Sequence, residues 1–206
     1  MKLIQVVYLV ILSVVLNSLA WADADDDLAQ SNINKASVLI ETVSKALLTD
    51  LKNNKDKLAD KPLLKDLIQK HVIPALDLEG VSRSIVGTYW NELNIDQQQQ
   101  LQGSLAKLIV NTYATALTSY KDEEVNVGEA LAFPENPKRV RVVSTIEGSS
   151  NTLKVNYYLR QIESMMGIYD ISVNGQQFSK TYRSSLGPAV EAKDFAKLIN
   201  IINKQG

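Results

Sequence analysis

Near Val125 the spacing of apolar residues changes, and that change leaves the chain few architectures. Before it, apolar residues recur every three to four positions. Val38, Leu39, Val43, Ala46 and Leu47 do so between Lys35 and Leu51, and Leu63, Leu64, Leu67, Ile68 and Val72 follow Pro62. Beyond Pro74 and Gly80 a further helix is expected over Glu79–Trp90. Asn94 or Asp96 then caps a long one through the Gln97–Gln100 run, with Leu101, Leu105, Leu108, Thr112 and Ala116 on one stripe and Ile109, Tyr113, Leu117 and Tyr120 beside it. This is the period of helices that bury one face. After Val125 the period is two: Val125 and Val127 flank one polar residue, Val140, Val142, Ser144 and Ile146 alternate with Arg139, Arg141 and Thr145, and Leu153, Val155, Tyr157 and Leu159 alternate with Lys154, Asn156 and Arg160. Strands with one buried face show that alternation. Glu147–Asn151 reads as a hairpin turn, Ile168–Val173 as a strand ending at Asn174-Gly175, and two closing helices follow, one before Pro188 and one using Phe195, Leu198, Ile199 and Ile202. Helices, a meander of about four strands and helices again predict an α+β domain whose antiparallel sheet is covered on one face.

The N-terminus carries an address. Lys2 precedes an almost unbroken apolar run from Leu3 to Leu16, a polar break at Asn17-Ser18, and small residues at Ala20 and Ala22 around Trp21. A basic start, an apolar core of about 14 residues and small residues at −3 and −1 are those of a secretory signal, with cleavage expected after Ala22. The run is shorter than the ~20 residues a membrane span needs. Residues 1–22 are therefore expected as a signal peptide, 23–34 as a flexible acidic leader and 35–206 as the domain, exported and soluble.

Composition removes several function classes. With 22 basic against 23 acidic residues the chain is close to neutral, which argues against nucleic acid as partner. Cysteine is absent, so the exported fold relies on its core and has no thiol chemistry. His71 is the one histidine, near the end of a helical segment, and is expected there as a surface or helix-end residue. The nine glycines form no phosphate loop, and no metal-ligand spacing is present. Asp170, inside an apolar strand, invites a role as general base; an ion pair with Arg160 or Arg183 is the commoner use of such a carboxylate. The residues alone point to a binding or scaffolding protein without visible catalytic apparatus, metal or cofactor.

The stretch from Leu78 to Tyr120 resembles the MlaC, or toluene-tolerance auxiliary, family: an apolar lead-in, Gly87 with Tyr89-Trp90, a glutamine after a helix cap, then a long helix with spaced tyrosines. The second half agrees, through Tyr157, Ile168-Tyr169-Asp170, Gly175 and Tyr182-Arg183-Ser184. The similarity covers about residues 35 to 203. It departs at Met166, where the family usually has Trp, at Gly175-Gln176-Gln177, where it usually reads Gly-Val-Ser, and at Leu186, which replaces Phe; these changes bear on pocket shape and ligand preference.

The resemblance implies a monomeric periplasmic phospholipid carrier. Its curved sheet and helices enclose acyl chains, and it shuttles lipid between an outer-membrane lipoprotein complex and an inner-membrane ABC transporter with its substrate-capturing domain, maintaining outer-membrane lipid asymmetry. Two acyl chains of about 16 carbons represent on the order of 25 kcal/mol of transfer free energy, at ~0.8 kcal/mol per methylene, so the carrier needs a deep dry cavity. Expected wall residues are Val142, Ile146, Val155, Tyr157, Ile171 and Val173 from the sheet and Ile85, Tyr89, Leu105, Ile109 and Leu117 from helices; ordinary core packing is the competing role for each. A hopanoid-linked paralogue, an exported protein-binding adaptor and a small α+β enzyme using Asp170 or His71 are the alternatives.

Overall fold

The computed structural model describes residues 2–148 and 152–205, with side chains from Asp25 onward. Among the described residues six α-helices frame one antiparallel sheet. Helix α1 (Lys2–Asn53) is followed by α2 (Lys61–His71), α3 (Leu78–Val86) and α4 (Ile95–Leu117). The sheet then runs in sequence order through β1 (Glu124–Phe133), β2 (Asn136–Glu147), β3 (Thr152–Ile162), β4 (Met165–Val173) and the two-residue β5 (Gln176–Gln177). Helices α5 (Phe178–Glu191) and α6 (Phe195–Gln205) close the chain. The α+β expectation holds, with four long strands and a short fifth.

Local chemistry explains most boundaries. Asp60 and Asp77 cap α2 and α3 through the amides of Leu63 and Gly80. At α4 the cap is Asn94, and Gln97 returns the bond to the Asn94 amide at 3.0 Å, completing a capping box. The helix expected over Glu79–Trp90 stops at Val86, because Gly87 has φ +60 and the chain continues as a 3-10 helix, Gly87–Glu92. Pro188 lies inside α5 rather than after it. The carbonyl its ring displaces belongs to Ser184, an exposed residue able to offer that group to water. The turn expected at Glu147–Asn151 extends into residues 149–151, outside the described residues.

The acidic stretch 23–34 departs from expectation, being helix continuous with the rest of α1. Asn32, Ala36 and Ile40, four residues apart, are fully or nearly fully buried. Asn32 Nδ2 donates to the carbonyl of Pro137 at 3.0 Å and to Gln161 Oε1 at 3.1 Å, which fixes α1 against β2 and β3. The acidic residues Asp25–Asp27 hide this pattern because they precede its first apolar contact, Ile33.

Three register shifts shape the sheet, one of them between Ala132 and Phe133 beside the β1–β2 turn. The β1–β2 register shifts between Val127 and Ala130, and the β3–β4 register shifts after Tyr158, leaving Tyr169 as the extra residue. Across the strands one face carries Val127, Ser144, Val155 and Val173 in one row and Ala130, Val142, Tyr157 and Ile171 in the next. Helix α1 packs on this face against β1, β2 and β4. Helix α4 has α2, α3 and α6 as its main packing partners rather than the sheet.

Candidate functional site

Three separate clusters make up the buried core among the described residues, where a domain of this size ordinarily has one. The largest joins α3, α4, α5, α6 and the Gly87–Glu92 turn, and includes Trp90, Leu101, Leu105, Leu186 and Leu198. A second lies between α1 and the sheet, around Ala36, Ile40, Val140, Val142, Leu159 and Ile168. The third unites Leu51, Leu58, Leu64, Leu67 and Ala114 where α1, α2 and α4 meet.

Half-buried side chains fringe all three: Tyr113 and Tyr182 on the first, Val43, Tyr157 and Ile171 on the second, Leu47 and Leu117 on the third. Tyr113 and Tyr157 are the most informative. Burial, reinforced by Tyr157, Tyr182 and Asp170, pushes the Tyr113 hydroxyl up to about 12. Burial alone raises that of Tyr157. Both residues are surrounded by protein yet keep accessible surface.

The residues expected to form a wall divide between these environments. Ile85, Tyr89, Leu105 and Ile109 lie in the first cluster, and the Tyr89 hydroxyl donates to the Lys193 carbonyl at 2.9 Å. Val142 sits in the second cluster with Tyr157 and Ile171 at its margin, all three in one register row, and Leu117 borders the third. Val155 is buried in the next row; Val173 and Ile146 are half-buried on the same face. Leu39, Val43 and Leu47 of α1, and Tyr113 and Tyr182, likewise fringe the three clusters. The tyrosines were visible only as spaced aromatics, and nothing in the spacing of α1 distinguishes an interior wall from a core. Of the family departures, Met166 is buried in the second cluster, Leu186 in the first, and Gln176-Gln177 forms β5.

Asp170 and His71 have structural roles. Asp170 is buried and faces the opposite side of the sheet, where no arginine pairs with it. Its Oδ1 accepts from the Ser179 amide at 3.1 Å, and its Oδ2 accepts from Ser179 Oγ at 2.6 Å and Gln177 Nε2 at 3.1 Å. The carboxylate therefore caps α5 from a neighbouring strand. Arg160 pairs instead with the buried carboxylate of Asp77, and Arg183 donates to the carbonyl of Ser84. A Cβ at Gly80 would fall 2.1 Å from Asp77 Oδ2, so only glycine lets the first turn of α3 approach that carboxylate. His71 ends α2, with Nε2 2.7 Å from Asp50 Oδ2. The hydrogen bonds from His71 and then Lys70 hold the Asp50 carboxyl below the usual carboxylate range. No cluster of three metal-ligating side chains is present among the described residues.

A crevice of about 520 Å³ separates α1 from the edge strand β1, bounded by Glu41, Lys45 and Lys52 on the helix and Glu124, Val125 and Val127 on the strand. On the outer face a cleft of about 320 Å³ gathers Arg139, Tyr158, Tyr169, Asp170 and Arg183.

An open antiparallel sheet, one face apposed to helices across a divided apolar core, defines the class: an α+β protein with an antiparallel meander packed against helices. The profile of the MlaC protein family matches residues 41–204, and the chain belongs to that family. It is 26% identical over 156 residues to the toluene tolerance protein ttg2D of Pseudomonas putida, an alignment spanning 74% of this chain and 72% of the relative. It is 24% identical over 100 residues to the intermembrane phospholipid transport system binding protein MlaC of Haemophilus influenzae, spanning 48% of this chain and 47% of the relative. Among solved structures, the phospholipid-binding protein of Ralstonia solanacearum in complex with a phospholipid superposes with a TM-score of 0.74 at 21% identity, covering 83% of this chain and 96% of the other. That likeness shows the fold.

Proposed function

We propose that this chain is a monomeric periplasmic phospholipid carrier, exported by a signal peptide cleaved after Ala22, with 35–206 as the main body of the lipid-binding domain. It moves lipid between an outer-membrane lipoprotein complex and an inner-membrane ABC transporter with its substrate-capturing domain, and so maintains outer-membrane lipid asymmetry. Membership of the MlaC family and a structural neighbour that binds phospholipid support the reading. The observation that carries it is the division of the buried core into three clusters, each fringed by half-buried apolar residues. Acyl chains need little from such a space beyond shape and dryness. Val142, Ile146, Val155, Tyr157, Ile171 and Val173 line it from the sheet, and Leu117, with Ile85, Tyr89, Leu105 and Ile109 behind it, from the helices.

The reading assigns no catalytic residue, metal or cofactor, phospholipid being cargo. Direction comes from the partners, since a carrier with equal exchange at both ends shifts no equilibrium. Native mass spectrometry of the purified protein, before and after organic extraction, is the test. A stoichiometric phospholipid adduct is expected. A lipid-free mass from gentle preparations, with no uptake from vesicles, overturns the proposal in favour of a protein-binding adaptor.

A further inference from the structure

We infer that the cleft on the outer face of the sheet is a docking site for an acidic segment of a partner protein, held through its carboxylates. The cleft lies on the opposite side of the sheet from the expected lipid wall, so the inference goes beyond the carrier reading and stands without it. Its cations are Arg139 from β2 and, one helical turn apart on α5, Lys180 and Arg183. Among the described residues none of the three forms an ion pair, whereas Arg83 and Arg160, outside the cleft, each hold a carboxylate. The lining includes one carboxylate, Asp170, and it is fully engaged. Its Oδ1 accepts from the amides of Ile171 and Ser179, and its Oδ2 from Ser179 Oγ and Gln177 Nε2. Three cations against one satisfied anion leave the cleft with positive charge in excess and donors to offer.

Arg139 is held in place for this role. Its guanidinium lies 5.1 Å from the centre of the Phe133 ring and 4.9 Å from that of Tyr169, and it donates through Nε and Nη2 to the Tyr169 hydroxyl. Such contacts hold the guanidinium plane, and the two bonds leave both Nη1 protons and one on Nη2 for a further acceptor. A fixed planar fork of donors matches the two oxygens of a carboxylate. Arg183 is anchored beside α3 by its bond to the Ser84 carbonyl and likewise keeps donors. The volume, about 320 Å³, admits a few side chains rather than a folded domain. A free monoanion would meet one cation and leave the others, whereas carboxylates repeated along a peptide meet all three. A flat membrane surface cannot follow them in, because Arg139 is half-buried between its two rings. Leu131, 40% exposed and two residues before Phe133 on the outer face, gives an apolar side chain of the same peptide a seat. Carboxylates interspersed with an aliphatic residue are the chemistry that fits.

The full chain, expressed with its own leader and purified, is titrated calorimetrically with the blocked hexapeptide Glu-Leu-Glu-Glu-Leu-Glu at about 20 mM salt, where screening is weak. Binding is expected with a dissociation constant of roughly 10–500 μM, weakened at least about threefold at roughly 200 mM salt. The same peptide with glutamine for glutamate is expected not to bind. Lys180→Glu with Arg183→Glu, both at exposed positions that leave the core untouched, is expected to weaken binding at least about tenfold. Lys57→Glu with Lys61→Glu changes the net charge equally outside the cleft and is expected to shift binding less than about twofold. Arg139→Lys keeps the charge but loses the fork, and a loss of about three- to tenfold is expected. Equal losses in the two double variants overturn the proposal, as does a glutamate peptide that fails to bind below about 1 mM. Citrate displacing the peptide at equal concentration would reassign the cleft to a small free carboxylate. Phosphatidylglycerol vesicles that retain wild type but not Lys180→Glu with Arg183→Glu, while the peptide stays unbound, would reassign it to a membrane surface. Either result overturns the protein partner.

Discussion

The two sides of this molecule bury apolar residues to different ends. On the side of α3, α4, α5 and α6, Leu101, Leu105, Leu186, Leu198 and Ile202 have no exposed surface and Trp90 has 2%. Where α1 meets the sheet, the fully buried residues are a thin layer around Ala36, Ile40, Val140, Val142 and Leu159, and beside them come half-buried side chains, the orphaned hydroxyl of Ser144 and a crevice. The first side is a core; on the proposed carrier reading, the second is the wall of a container. Substitutions should separate them, because a core residue acts on stability and a wall residue on cargo.

The largest effect is expected on the core side. Leu105→Ala should cost about 2–5 kcal/mol, measured by denaturant unfolding of the lipid-free protein. A loss below about 1 kcal/mol would place Leu105 on the wall instead. Asp77→Ala should come next, at roughly 3 kcal/mol, because it strands Arg160 and uncaps α3. Tyr113→Phe tests the boundary between the two sides. With the folded hydroxyl at about 12 against an ordinary 10.0, the unfolded chain loses its proton first. Stability attributable to this group is complete below pH 10 and falls as pH climbs from about 10 to about 12, by on the order of 2 kcal/mol. The phenylalanine variant should lack that share of the alkaline decline, and identical pH curves would show that Tyr113 ionises freely. Smallest in the lipid-free protein is Ile171→Ala, at about 1 kcal/mol for a half-buried wall residue, with a larger loss in lipid retention read by mass spectrometry.

The sequence showed this architecture where local chemistry acts alone. The Asn94–Gln97 box, the turn at Asn174-Gly175 and the alternation along β2 and β3 were all legible because each involves neighbours in the chain. Strand β1 was visible only at Val125 and Val127. Its bulge moves the inward residues from odd positions to even ones, Ala130 and Ala132, and so erases the alternation. Asp170 was misassigned for a related reason: its partners are the first residues of α5, and a helix capped from a neighbouring strand leaves no signature at cap spacing. The proposed wall residues were named mainly through family resemblance, since an apolar residue that lines a cavity and one that packs in a core have the same identity.

The bulge in β1 also governs capacity. Because of it the strand turns Ala130 and Ala132 inward and sends Leu131, 40% exposed, to the outer face, where Phe133 receives the guanidinium of Arg139 5.1 Å from its ring centroid. Losing one residue at Gly128 or Glu129 would reverse the choice and swing Leu131 and Phe133 into the space the alanines leave open. Made at Gly128 the change would leave the charge untouched, yet it would exchange two methyl groups for an isobutyl and a benzyl. If the proposed carrier reading holds, the room available for cargo is written partly in the reading frame of a single strand, so a deletion too short to disturb the fold would leave the vessel full before any lipid arrives.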